Sequence, residues 1–292
     1  YNNIGGIYDS RGAYEAALEW YEKSREIGEE IGDRAGLATT YNNIGLIHHS
    51  RGAYEAALEW YEKSAKIAEE IGDRAGLAAT YNNIGGIYDS RGAYEAALEW
   101  YEKSREIREE IGDRAGLAMT YNNIAGIHYS RGAYESALEC YEKSAAIFEE
   151  LSDRAGLATT YHNIGQIFYA RGEHEAALEW YEKSLGISME LGDLARLSTT
   201  YNNIANVYYI IGNYEKTLEY LEKSKVIKYE IGDHFGLASA FNNLGLVYEE
   251  YGDIQKAISC FEKSLSMLKE IGAVGTERVR KNLEEAKEKL RT

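Results

Sequence analysis

Over 292 residues the chain carries 48 acidic and 32 basic side chains, a formal net charge of −16 at neutral pH. That balance repels a polyphosphate backbone and argues against nucleic acid as a ligand. No apolar run is long enough to suggest a membrane span, and nothing resembles a secretory leader. With only Cys140 and Cys260 for thiols, the expected compartment is a reducing cytoplasm, although a signal could have been lost with a missing part.

The chain opens at Tyr1 inside a pattern that returns at Tyr41, Tyr81, Tyr121, Tyr161, Tyr201 and Phe241, always forty residues apart. A fixed period of this size signals stacked supersecondary units, so one array can reach this length without a second domain. Later copies are preceded by a leader such as Gly32-Asp33-Arg34-Ala35-Gly36-Leu37, which the first lacks. The expectation is a piece of a longer array whose open end exposes apolar surface and favours end-to-end self-association.

Tyr41–Thr80 shows what one unit is. Tyr41, Ile44, Ile47 and His48 recur at helical spacing, as do Tyr54, Ala57, Leu58, Tyr61, Ile67 and Ile71. Gly52 suits the left-handed turn between them, Gly72 closes the second run, and Asp73 can cap the next helix. The unit is therefore a helix pair, A over Arg34–Ser50 and B over Tyr54–Ile71. Small residues such as Gly45, Ala57 and Ser64 mark close approach between helices.

Repeats one and three differ only at Gly28 versus Arg108 and Thr39 versus Met119. Divergence begins at the fourth copy. Ile210-Ile211 replaces Ser-Arg, and Tyr229 and Phe235 stand where earlier copies are polar or small. Val279, Leu283, Ala286 and Leu290 then form one stripe of a final helix. The organisation expected is seven helix pairs over 1–275, the first helix A truncated, and a capping helix over 276–292. The acidic side chains lie mostly on helix B. A solvated outer face supported by Glu19–Lys23 pairs accounts for them, and a docking face for a basic partner is the other reading.

The stretch Tyr1-x2-Ile4-Gly5-x2-Tyr8, followed by Ala17-x3-Tyr21, resembles the tetratricopeptide (TPR) signature. The resemblance covers essentially the whole chain and implies an all-α, right-handed superhelical solenoid of antiparallel helix pairs. Two departures stand out: the period exceeds the usual length of about 34 residues, and the proline that usually follows helix B is absent. This long-helix form is similar to the repeats of Pins-type adaptors and kinesin light chains.

Asparagine recurs at one place in every helix A: Asn3, Asn43, Asn83, Asn123, Asn163, Asn203 and Asn243. A second column runs Asn2, Asn42, Asn82, Asn122, His162, Asn202 and Asn242. Asparagine is an indifferent helix former, so filling a helical site with it in each repeat costs stability. Its amide matches the donor and acceptor of a peptide group. A row of such amides lining a groove is one reading; hydrogen bonding between neighbouring helices, or mere copying by duplication, is the other. The family resemblance implies the first, with the asparagines holding the backbone of an extended peptide.

Selectivity is expected from columns that vary. One holds Gly6, Leu46, Gly86, Gly126, Gln166, Asn206 and Leu246; the next holds Asp9, His49, Asp89, Tyr129, Tyr169, Tyr209 and Glu249. Tyr129, Gln166, Tyr169, Asn206 and Tyr209 offer the aromatic and amide mixture of binding surfaces, though tyrosines at helical spacing also serve packing. The family's carboxylate clamp does not carry over, because Thr39, Ala79, Thr159, Asn2 and Gly6 fill its basic positions. The Pins-type groove arginines align with Thr39, Ala79, Met119, Thr159, Thr199 and Ser239. The expected partner is thus a protein or peptide in extended conformation, neutral or mildly basic.

Catalysis has little support. The six histidines form no HExxH, no cysteine pair has zinc-ligand spacing, and the glycines do not form a phosphate loop. No cofactor and no metal are expected. The function expected is a non-catalytic binding scaffold. Two alternatives stay open: a peptide-sensing module of a larger signalling protein, and a structural spacer or engineered array without a ligand.

Overall fold

Asp33 opens the first complete helix A because its carboxylate oxygen accepts from the backbone N–H of Gly36 at 2.9 Å. The same bond recurs at Asp73, Asp113, Asp153, Asp193 and Asp233. A cap of this kind contributes about 1 kcal/mol to the helix it starts. The computed structural model describes residues 1–291. Among these, fifteen helices and no strand are present.

The first four pairs are α1 (Asn2–Asp9) with α2 (Tyr14–Ile31), α3 (Arg34–Ser50) with α4 (Tyr54–Ile71), α5 (Arg74–Ser90) with α6 (Tyr94–Ile111), and α7 (Arg114–Ser130) with α8 (Tyr134–Glu150). They form one compact unit, Tyr1–Leu151. A second unit starts at Ser152. It contains α9 (Arg154–Ala170), α10 (His174–Leu191), α11 (Leu194–Ile210), α12 (Tyr214–Glu230), α13 (His234–Glu250), α14 (Ile254–Glu270) and α15 (Thr276–Arg291). Odd-numbered helices up to α13 are helices A, and even-numbered ones are helices B. The bounds expected for the second pair coincide with α3 and α4.

Turn chemistry explains these ends. Gly52 follows α3 with φ 72°, and Gly72 closes α4 with φ 74°, both in the left-handed region that a Cβ disfavours. After α8 this place is held by Ser152, which adopts φ 56° without being glycine.

Within a pair, packing is close because Gly45 faces Tyr61: a Cβ on the glycine would lie 2.6 Å from the ring. Ser64 ties the same helices together by donating to the Ala38 carbonyl at 2.8 Å, and Ser104, Ser184 and Ser224 repeat the bond in later pairs. Between pairs, one cluster recurs. Ala57 and Tyr61 of α4 meet Ile84 and Ile87 of α5; Ala177 and Tyr181 of α10 meet Ile204 and Val207 of α11. Within each unit, a helix B thus buries its apolar stripe against the helix A that follows it.

Helix α15 uses the same physics at the end of the second unit. Val279, Leu283 and Ala286 are buried against Ala257, Phe261, Leu265 and Leu268. Leu290, expected on that stripe, is half exposed instead. The lysines expected to pair with Glu19 and its copies mostly do something else. Lys23, Lys63, Lys103 and Lys183 lie over Trp20, Trp60, Trp100 and Trp180 at 3.7–4.4 Å from the ring centre. A cation over an indole face gains from the ring quadrupole what the carboxylate pair would have offered through charge. Among the described residues the i,i+4 pair of this column forms in α12, between Lys223 and Glu219 at 2.6 Å.

Candidate functional site

Asn43, Asn83 and Asn123 in the first unit, and Asn163, Asn203 and Asn243 in the second, are all half-buried on helices A. The structure joins the two asparagine columns to each other. Asn83 donates its Nδ2 amide to Oδ1 of Asn42 at 2.9 Å, and Asn123 donates likewise to Asn82 at 3.0 Å. Oδ1 of Asn82 also receives the Thr120 hydroxyl at 3.4 Å, while Asn2 receives Thr40 at 3.1 Å. Numbering the columns by position in the repeat, column two (Asn42, Asn82) is therefore the acceptor that bonds one helix A to the next in this unit, and column three (Asn83, Asn123) is the donor. Column three contributes one N–H to that bond and retains its carbonyl oxygen and second N–H.

In the second unit the ladder is altered by a histidine. His162 is buried and takes the asparagine's place. Its Nε2 receives Nδ2 of Asn203 at 3.1 Å, so its Nδ1 carries the proton and donates to the Thr200 hydroxyl at 3.1 Å. Burial, assisted by the nearby Arg196 guanidinium, pushes the His162 pKa down to about 4. The ring is neutral at physiological pH. Arg196 itself pairs with Asp193 at 3.1 Å. His162, Asp193, Ala195, Arg196 and Thr199 line a recess of about 350 Å³. Sequence reading passed over Arg196; its signal is that it interrupts a column otherwise held by Gly36, Gly76, Gly116, Gly156 and Gly236.

The ladder ends on α15. Asn282 donates to Asn242 at 3.0 Å and so plays the part of an asparagine on a further helix A. Lys289 pairs with Glu249 at 2.8 Å, which removes the last carboxylate of the variable column from the surface. Residue 282 stands forty residues after Asn242, in the register of the acceptor column, whereas the donor position one residue on is held by Leu283.

The selectivity candidates are presented unequally. Tyr129, Tyr169 and Tyr209 each pack at a tilt beside the first residue of the following helix B, with ring centres 6.0 Å from Tyr134, 6.3 Å from His174 and 5.8 Å from Tyr214. Tyr129 and Tyr169 are half-buried, and Tyr209 is exposed. Asn206 is half-buried, and Gln166 approaches His162 at 3.5 Å. The tyrosines both pack and face outward, so neither reading alone describes them.

A third pattern separates the units. Tyr41, Tyr81 and Tyr121 donate their hydroxyls to Glu29, Glu69 and Glu109 at 2.9–3.2 Å. In the second unit Met189 and Tyr229 stand in the glutamate column, and both are exposed. Ile210, Ile211 and Phe235 are exposed as well. Both thiols are free, Cys260 buried and Cys140 partly so. Among the described residues, no group of three or more His, Cys, Asp or Glu is placed to hold a metal, and no helix is long and apolar enough to cross a membrane.

A family model described as "Tetratricopeptide repeat" matches residues 1–70, 37–110, 116–190 and 196–270. No curated protein matches the chain. Among solved structures, BtubC (BKLC) from P. vanneervenii is 24% identical, with 75% of this chain and 91% of that one covered and a TM-score of 0.65. The apo form of RapI is 16% identical, with 93% and 97% covered and a TM-score of 0.70. A Rap protein complexed with competence and sporulation factor is 15% identical, with 87% and 76% covered and a TM-score of 0.63. At these identities the likeness is one of fold.

Proposed function

Because the chain belongs to the tetratricopeptide repeat family, we propose that it is a non-catalytic protein-binding scaffold whose rows of helices A hold a partner segment in extended conformation. The observation that carries this reading is the Asn83–Asn42 bond and its copies. Each bond uses one amide hydrogen to lock the orientation of a column-three asparagine. It leaves one donor and one acceptor for the peptide groups of a ligand, so the row is pre-organised. Asn43, Asn83, Asn123, Asn163, Asn203 and Asn243 supply backbone contacts. Tyr129, Gln166, Tyr169, Asn206 and Tyr209 supply selectivity, and the partner is neutral or mildly basic. The complex of a Rap protein with competence and sporulation factor supports a binding role for this fold. Seven helix pairs closed by α15 form the scaffold, and its two free thiols favour the cytoplasm.

The test is selection of random extended peptides, about twelve residues long, on the immobilised chain, followed by titration of the best binder. Asn83→Ala with Asn123→Ala should weaken binding about ten-fold or more, since each asparagine contributes net hydrogen-bond energy of about 1 kcal/mol. Methylating single backbone nitrogens of the peptide should weaken it similarly. Unchanged binding in the double variant would sink the asparagine-row reading.

A further inference from the structure

We propose that Asp9 and Asp89 form two sockets in the first unit for the ammonium or guanidinium groups of basic side chains on the bound segment. This rests on the extended-peptide reading above and adds what that segment must carry.

Each aspartate belongs to a small construction repeated on α1 and α5. Gly6 and Gly86 stand one helical turn before the carboxylates. Under them lie the hydroxyls of Tyr21 and Tyr101, 3.8 and 3.7 Å from where a glycine Cβ would be. The glycine opens a recess floored by a phenol and walled by a carboxylate. Around Asp9 this recess measures about 500 Å³ and is lined by Asn2, Asn3, Gly6, Tyr21 and Asn43 as well. Around Asp89 the neighbouring wall is His49, whose Cε1 lies 3.5 Å from the same Gly86 point. His49 is turned to Ser90, with Nε2 and Oγ 3.1 Å apart. On the intervening α3, Leu46 takes the glycine position, His49 takes the aspartate position, and the Tyr61 hydroxyl beneath is fully buried.

Among the described residues neither carboxylate has a hydrogen-bond or ion-pair partner, although the arginines at the helix ends do: Arg51 reaches Glu15 and Arg91 reaches Glu55. Asp9 and Asp89 are half-buried, and burial raises both pKa values with nothing opposing it. A partly desolvated carboxylate without a donor is an unfavourable arrangement that a cationic ligand group relieves. A phenol beside it can accept from the same cation.

The spacing of the two sockets sets a rule for the ligand. Helix α1 touches α3, and α3 touches α5. At the usual axis separation of 8–10 Å per packed neighbour, the sockets are roughly 16–20 Å apart. An extended chain advances about 3.3 Å per residue, so it covers this in about five to six. Alternate side chains of such a chain point the same way. Basic residues six apart therefore reach both sockets from one face, whereas residues five apart point to opposite faces.

The experiment uses the full chain, immobilised, and three peptide pools that are random apart from two fixed positions. The first pool carries lysines six apart, the second lysines five apart, and the third norleucines six apart. Retention is measured at about 150 mM salt to screen the general attraction of an acidic protein. The six-apart lysine pool should be retained about ten-fold above the other two, and Asp9→Asn with Asp89→Asn should erase that preference without changing norleucine retention and without lowering the melting temperature. Equal retention of six-apart lysine and norleucine leaves the peptide row standing and overturns the sockets. Equal retention of both lysine pools, in wild type and double variant alike, shows diffuse attraction and also overturns them. No retention of any pool overturns the peptide reading together with the sockets.

Discussion

The side-chain amide of Asn83 donates to the side-chain carbonyl of Asn42 across 2.9 Å, joining helix α5 to helix α3. A residue that disfavours helix interiors thus recurs in helices because its side chain reaches the neighbouring repeat. The two asparagine columns carry different duties: column two accepts, and column three donates one hydrogen and presents what is left.

That division predicts unequal stability effects. Asn82→Ala removes the acceptor of both Asn123 and Thr120 and should destabilise the chain by about 1–2 kcal/mol. Asn82→Asp keeps the acceptor and should cost less. Urea unfolding of the variants measures this; equal midpoints for Asn82→Ala and wild type would mean the ladder adds nothing to stability.

His162 makes stability depend on pH. Its folded pKa of about 4 lies below the ordinary 6.5, so between those values the unfolded chain binds more protons than the folded one. The contribution of the neutral ring is full above pH 6.5 and declines as pH falls towards 4. The decline from this side chain is up to about 3 kcal/mol. His48, His49 and His128, whose pKa values burial also lowers, add to the slope in the same direction. His162→Asn, which restores the residue of the other repeats, should flatten the difference curve in melts taken from pH 7 to pH 4. Parallel curves would contradict the assignment.

Ser152 holds φ 56° where the other repeats place glycine. Ser152→Gly should stabilise the chain by up to about 1 kcal/mol, because the left-handed conformation penalises a Cβ. A lower melting temperature in that variant would show the serine side chain to be favourable there.

Arg108 is a buried cation, 5% exposed, with its Nε 3.1 Å from the Ser104 hydroxyl and its nearer guanidinium nitrogen 3.6 Å from Asp113. Burial lowers its pKa, and Asp113 only partly opposes this. Ala68 and Phe148 fill the same place in adjacent repeats. Arg108→Met should therefore be neutral or stabilising by about 1 kcal/mol. A loss larger than about 1 kcal/mol in thermal melting would instead make the Asp113 contact favourable.

The sequence by itself determined the helices, their ends and their pairing. Helical period, the capping aspartates and the glycine turns act within a few residues, so Arg34–Ser50 and Tyr54–Ile71 could be read directly, and so could the two asparagine columns. What those asparagines bond to was decided only in three dimensions, because the Asn83–Asn42 contact spans forty-one residues and competes with solvent and ligand. The same holds for Lys63, which lies over Trp60 instead of pairing with the neighbouring Glu59. It holds for Asp89 too: its lack of a partner among the described residues follows from what surrounds it. Local backbone preferences are written in the order of residues, whereas desolvation and hydrogen-bond partnership depend on which side chains folding brings within reach.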